Sequence, residues 1–181
     1  MVNESHNHHP NIWAPWRTDY INSLSSPEED KGCFVCRARD GEKPAAELVL
    51  WRGSRSLAML NRYPYTGGHI LVCPNEHAAE FSDLSAETMT EMMLLVCDTQ
   101  AVLRQAVKAQ GFNIGCNVGQ CAGAGLPGHL HMHVVPRWPG DTNFMDVVGG
   151  VRMVPISLAE LHKSIVQAAK KLKLPKLSPE G

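Results

Sequence analysis

Residues 129–136 read His-Leu-His-Met-His-Val-Val-Pro, so three imidazoles alternate with apolar side chains. Successive side chains of an extended strand point to opposite faces, which places His129, His131 and His133 on one face and Leu130, Met132 and Val134 on the other. The apolar face belongs in a core, and the histidine face is left for chemistry. An imidazole titrates near neutrality, which suits it to nucleophilic, acid–base or metal-ligand work. The competing reading, a polar face on an edge strand, makes three aligned imidazoles a coincidence.

The rest of the chain supplies a sheet and helices for this strand. Strand-like runs at 46–51, 56–61 and 69–74, separated by short polar or Gly/Pro-containing turns, predict an antiparallel meander. Ser85 can cap a helix over 86–110, whose Met89, Met92, Met93, Val96, Leu103 and Val107 recur at helical spacing, with Gly111 placed to end it. Those methionines read as core rather than as a cofactor site. Further strands are expected at 112–118 and 129–136, joined by a glycine-rich loop, and at 151–154 before a last helix over 157–172. A helix laid on one side of an antiparallel sheet is an α+β arrangement. Residues 1–10 read as a disordered polar tail whose His6, His8 and His9 form no built site, 11–174 as a single domain, and 175–181 as a C-terminal tail. Residues 11–21 carry Trp13, Pro15, Trp16, Arg17 and Tyr20, too aromatic to stay in water, and are expected to dock on the body.

A chain of 181 residues can bury one core without disulfides. Its 17 basic and 18 acidic residues nearly cancel and form no Lys/Arg run, which argues against a DNA or RNA partner and leaves room for a small phosphorylated ligand. No apolar stretch approaches the roughly 20 residues a membrane span needs, and the polar N-terminus lacks a basic-then-apolar signal. A cytoplasmic protein without a membrane partner is therefore expected. Four of the six cysteines, Cys73, Cys97, Cys116 and Cys121, sit singly in apolar or glycine-rich runs, as reduced cysteines do.

The His-φ-His-φ-His-φ-φ pattern is similar to the signature of the histidine triad (HIT) superfamily of nucleotidyl hydrolases and transferases. The longer run GQCAGAGLPGHLHMHVVPRWPGDTNF most resembles bacterial HIT-type diadenosine tetraphosphate (Ap4A) phosphorylases. LNRYPYTGGHILVCP resembles the segment with which the fragile-histidine-triad branch holds a nucleoside, and WAPWR and a Cys-x-x-Cys pair complete a likeness over about residues 11–155. The resemblance implies the five-stranded HIT sheet with a long helix and a C-terminal helix, paired as a homodimer around the long helix and the strand before it. It implies His131 as the nucleophile on an α-phosphorus, His133 as the group that bonds phosphoryl oxygens or the leaving group, and His69 as their support. A backbone carbonyl is expected on the other nitrogen of His131.

Asn61 matches the ribose-binding position of that family, with Met59 and Leu71 sandwiching the base; plain core packing is the alternative for the last two. Asn117 and Gln120 are candidate phosphate contacts, and Gly123 and Gly125 allow close backbone approach. Arg137 could meet distal phosphates or form a salt bridge at the strand end. Cys33 and Cys36 have metal-ligand spacing, and the family pattern completes them with His77 and His129 as a closed zinc site; a redox pair or two buried cysteines are the alternatives. The three triad histidines could themselves chelate a metal. Many HIT hydrolases carry Ser or Thr three residues before the first triad histidine, where this chain has Leu126, and that favours the phosphorylase-like branch. The expected activity is therefore phosphorolysis of Ap4A to ATP and ADP, with inorganic phosphate as acceptor. Hydrolysis of an adenylylated compound to AMP and nucleotide binding without turnover are the alternatives.

Overall fold

The structure, a computed structural model, describes residues 32–41, 48–142 and 156–176. The expected N-terminal tail, residues 177–181 of the C-terminal one, the aromatic segment 11–21, the expected strand 151–154, and Asn143 and Phe144 lie outside the described residues. The elements in chain order are α1 (Phe34–Asp40), β1 (Val49–Arg52), β2 (Ser56–Leu60), β3 (Ile70–Pro74), α2 (Ala86–Ala106), β4 (Gly111–Cys116), β5 (Met132–Arg137) and α3 (Leu158–Leu172). The strands form one antiparallel sheet in the order β1-β2-β3-β5-β4. This is the five-stranded antiparallel sheet that the resemblance implies.

Both faces of the sheet are covered, which is why β2 and β3 are buried along their whole length. On one face α2 and α3 pack Met92, Val96, Leu103, Leu161 and Ile165 against Leu60, Ile70, Val72 and Val134. On the other, α1 lays Val35 and Ala38 over Val49, Leu57, Met59, Leu71 and Cys73. At about 25 cal/mol per Å² of apolar surface buried, these two clusters are the main favourable term in folding.

Several boundaries differ from expectation, each for a local reason. The helix α2 starts where Ser85 caps it, its side chain accepting from the N–H of Thr88, but it ends at Ala106 rather than 110. Lys108 takes a left-handed φ of 56°, and the Trp138 indole N–H bridges the carbonyls of Val107 and Lys108, at 3.1 and 3.0 Å. Gly111 accordingly opens β4 instead of ending a helix. The strand expected to begin at 129 begins at Met132, because the Leu130 N–H donates to the Ala78 carbonyl at 2.7 Å rather than to a neighbouring strand. The short helix α1 was not anticipated; Cys33 caps it, its sulfur accepting from the N–H of Cys36. The strand preceding the long helix, β3, is interior to the sheet, so it cannot carry a dimer interface; the sheet edges are β1 and β4.

Candidate active site

The alternation of the triad segment survives its irregular start. Leu130 and Val134 are buried in the α2-side core with Met132 packed against them, while the rings of His131 and His133 meet edge-on, centroids 5.0 Å apart. His129, by contrast, turns toward Cys33, 96 residues earlier in the chain.

The protons on the catalytic candidates can be assigned, because backbone groups have fixed roles. Nδ1 of His69 accepts the backbone N–H of Tyr65 at 3.2 Å, so it carries no proton itself. Asn61 agrees: its Oδ1 accepts the N–H of Tyr63 at 2.9 Å, which turns its amide N–H toward the same His69 nitrogen at 3.2 Å. The proton of neutral His69 is therefore on Nε2, and it donates to Nδ1 of His133 at 2.9 Å. That in turn places the His133 proton on Nε2, a buried atom with no hydrogen-bond partner among the described residues. Burial lowers the pKa of His69 to about 3, with the charges of His133 and His131 adding to it, and that of His133 to about 4, with His131 adding. Both rings are neutral at physiological pH. Nδ1 of His131 lies 2.8 Å from the carbonyl oxygen of His129, which can only accept, so the His131 proton sits on Nδ1 and the Nε2 lone pair is available.

His129 belongs to a second cluster. Its Nε2 donates to the Pro74 carbonyl at 3.0 Å, leaving an unprotonated Nδ1 that lies 3.2 Å from the Cys33 sulfur and 3.7 Å from that of Cys36. His77 Nδ1 is 3.4 Å from the Cys36 sulfur, and one ligand atom from each of the four residues lies within 4.8 Å of the others. A tetrahedral ion with bonds of ~2.3 Å to sulfur and ~2.0 Å to nitrogen sets S···N edges of about 3.5 Å, so the donor set fits such an ion. The Pro74 carbonyl supplies the outer hydrogen bond that holds a ligating imidazole in its tautomer. His131 and His133 take no part in this cluster, which removes the possibility that the triad as a whole is the chelating group.

The remaining expected residues are distributed unevenly. Met59 and Leu71 are 6% and 3% exposed within the α1-side core, where Leu126 also packs. Asn61 organises His69 and the turn after β2. Asn117 is half-buried and reaches the Gly123 carbonyl at 3.4 Å; Gln120 and Gly125 are exposed, and Gly123 adopts the left-handed φ of 86° that favours glycine. The loop spends the N–H groups of Ala122, Gly123 and Ala124 on its own carbonyls. Arg137 forms a two-pronged ion pair with Asp141, one contact at 2.8 Å, and donates to Asn113 Oδ1 at 2.7 Å, which is the salt bridge at the strand end.

A cavity of about 1030 Å³ opens beside His133, lined among others by Tyr65, Asn113, Gly115, Asn117, Arg137 and Trp138. Tyr65 and Gly115 were not singled out from sequence. The only signal for either was position: Tyr65 is in the run before His69, and Gly115 interrupts an otherwise ordinary strand.

Comparison with known proteins accounts for the arrangement. The family model described as the HIT domain matches residues 30–140, which include both histidine clusters. The chain belongs to the HIT domain family. It is 35% identical over 161 residues to the AP-4-A phosphorylase of Mycobacterium tuberculosis, covering 84% of this chain and 80% of that protein. It is 30% identical to an adenosine 5′-monophosphoramidase of Schizosaccharomyces pombe, covering 78% of this chain and 98% of that one. Among solved structures, a zinc-bound histidine triad family protein from Mycobacterium smegmatis superposes with a TM-score of 0.65 at 29% identity, over 78% of this chain and 96% of the other. Among the described residues of this HIT domain, no helix is long and apolar enough to cross a membrane.

Proposed function

We propose that this HIT domain protein moves a nucleotidyl group from a dinucleoside polyphosphate to inorganic phosphate through His131, converting Ap4A and phosphate to ATP and ADP. The observation that carries the reading is the pinning of His131 Nδ1–H on the His129 carbonyl, which presents Nε2 as a lone pair. Nε2 forms a bond to the α-phosphorus while the P–O bond to ATP breaks, and the departing oxygen keeps the electron pair. The Nε2–H of His133, held by His69, hydrogen-bonds the developing negative charge on phosphoryl or leaving oxygens. A phosphate oxygen then attacks the same phosphorus, the P–Nε2 bond breaks, and ADP departs. Splitting one displacement into two is what a neutral imidazole nucleophile offers. Leu126 has no hydroxyl to orient a leaving group or water, and the phosphorylase named among the relatives supports phosphate as acceptor. Asn117, Gln120, Gly123 and Gly125 remain the proposed phosphate contacts and Asn61 the proposed ribose contact, while Met59 and Leu71 take the core-packing alternative.

The Cys33, Cys36, His77 and His129 group is proposed to hold a structural zinc ion. Zinc there would tie the start of α1 and the loop after β3 to the residue whose carbonyl orients His131. A homodimer is proposed on α2 and the β4 edge, where Met89, Met93, Leu94 and Ile114 are exposed; light scattering giving a monomer at micromolar concentration contradicts it. The activity is tested by incubating Ap4A with the protein, with and without phosphate, and identifying the nucleotides. ATP with ADP only when phosphate is present supports the reading. AMP with ATP in its absence makes the protein a hydrolase, the alternative favoured by the monophosphoramidase relative, and no product at all leaves a binding module.

A further inference from the structure

His133 is proposed above to meet the developing charge, yet a single hydrogen bond holds its ring: Nδ1 accepts from His69 at 2.9 Å, and Nε2 has no partner among the described residues. An imidazole held at one nitrogen can pivot about that bond, and it can exchange tautomers once the bond breaks. The remaining restraint comes from rings. His131 meets His133 edge-on, and Tyr65 lies across both members of the pair, its centroid 4.7 Å from that of His69 and 5.9 Å from that of His133. The planes of the two imidazoles are 44° apart, and the Tyr65 ring is 31° from one and 25° from the other, so one phenol ring packs on both. Contact through a ring face leaves the nitrogens, which point outward in the plane, to their hydrogen bonds.

The core does not account for an aromatic residue at 65. Tyr65 lies in the turn between β2 and β3, outside both hydrophobic clusters. Tyr63, two residues earlier in the same turn, is 79% exposed, whereas Tyr65 is turned onto the histidines and is 44% exposed. The turn is pinned around it. The Asn61 N–H donates to the His69 carbonyl at 2.9 Å, and the Thr66 hydroxyl donates to the Pro136 carbonyl of β5 at 3.0 Å. The N–H of Tyr65 itself donates to Nδ1 of His69 at 3.2 Å, so one residue grips the same imidazole twice, its backbone fixing the tautomer and its ring the plane. Without the ring, water could compete for the bond between the two histidines.

We infer that Tyr65 is a positioning residue for nucleotidyl transfer, its ring clamping His69 and His133 so that the proton between them stays on His69 and the Nε2–H of His133 stays aimed at the substrate. The inference rests on the nucleotidyl-transfer reading above. It is tested with Tyr65→Leu, which keeps an apolar side chain but no flat face, and Tyr65→Phe, which keeps the ring. Both are compared with the wild type by steady-state kinetics on Ap4A with phosphate and by ¹⁵N NMR of the histidine rings. Tyr65→Leu should lower kcat about 10-fold with KM changed less than about threefold, and Tyr65→Phe should keep kcat within about twofold of wild type. The Nδ1 and Nε2 shifts of His133 should move toward each other in Tyr65→Leu as the two tautomers mix, and stay in place in Tyr65→Phe. A wild-type kcat or unchanged His133 shifts in Tyr65→Leu overturn the inference while leaving the reaction standing. So does a raised KM at unchanged kcat, which puts the ring in substrate binding, and so does an equal loss in Tyr65→Phe, which assigns the effect to the hydroxyl. Variants that fail to fold make Tyr65 a structural residue and overturn it as well. Wild-type protein without turnover removes the reaction itself, and the inference with it.

Discussion

Nε2 of His69 lies 2.9 Å from Nδ1 of His133, and the proton between them belongs to His69. Everything downstream of that proton depends on it, because His133 can offer Nε2–H to the substrate only while its Nδ1 is an acceptor. Replacing His69 with leucine removes the donor and frees His133 to adopt the other tautomer. A fall in kcat of about 10- to 100-fold with KM changed less than threefold is expected in steady-state kinetics. A wild-type-like kcat with a raised KM would place His69 in binding instead.

The same pair makes the protein acid-sensitive. Burial holds His69 near pKa about 3 and His133 near about 4, whereas both titrate near 6.5 in the unfolded chain. Between those values the unfolded state binds more protons than the folded one, so stability rises with pH up to about 6.5 and is progressively lost as pH falls from 6.5 toward 3. Thermal unfolding followed from pH 7 to pH 4 should show this slope. It should be shallower in a His69→Gln, His133→Gln double variant, and an equal slope in the variant would assign the acid sensitivity to other groups.

Glu91 on α2 carries a structural prediction. Its carboxylate accepts the hydroxyls of Ser54 and Ser56, both at 2.7 Å, and the N–H of Arg55 at 3.0 Å. Burial alone would raise its pKa, but the Ser56 and Ser54 hydroxyls and the backbone N–H groups outweigh it and hold the carboxyl below its usual range. The turn fits tightly, for a Cβ on Gly53 would come within 2.5 Å of Oε1 of Glu91. Glu91→Leu strands three donors and should cost about 2–3 kcal/mol in urea unfolding. A loss under about 0.5 kcal/mol would mean that water replaces the carboxylate.

Metal analysis addresses the second cluster. Protein purified without chelators should contain about one zinc ion per chain, and Cys36→Ser, which keeps the side-chain size but removes the thiolate, should contain substoichiometric zinc and unfold at lower temperature. Full zinc occupancy in Cys36→Ser would place the ion elsewhere.

The sequence made the chemistry easier to read than the joints. The period-two alternation placed Leu130, Met132 and Val134 in the core even though the strand itself begins only at Met132, because side-chain alternation needs extended backbone and not ladder pairing. Gly111 looks like a stop for α2, while the actual stop is a tertiary one, Trp138 donating to the carbonyls of Val107 and Lys108. Cys33 and Cys36 were recognisable by spacing, but not that they open a helix of 7 residues, too short to show a period.

The central claim is the covalent nucleotidyl intermediate on His131. Mass spectrometry of the intact protein, quenched at high pH after exposure to Ap4A without phosphate, tests it most directly. Wild-type protein should gain the mass of one nucleotidyl group, mapped to His131 by peptide analysis and discharged as ADP when phosphate is added, and His131→Asn should show no adduct. Turnover at the wild-type rate in His131→Asn would contradict the account.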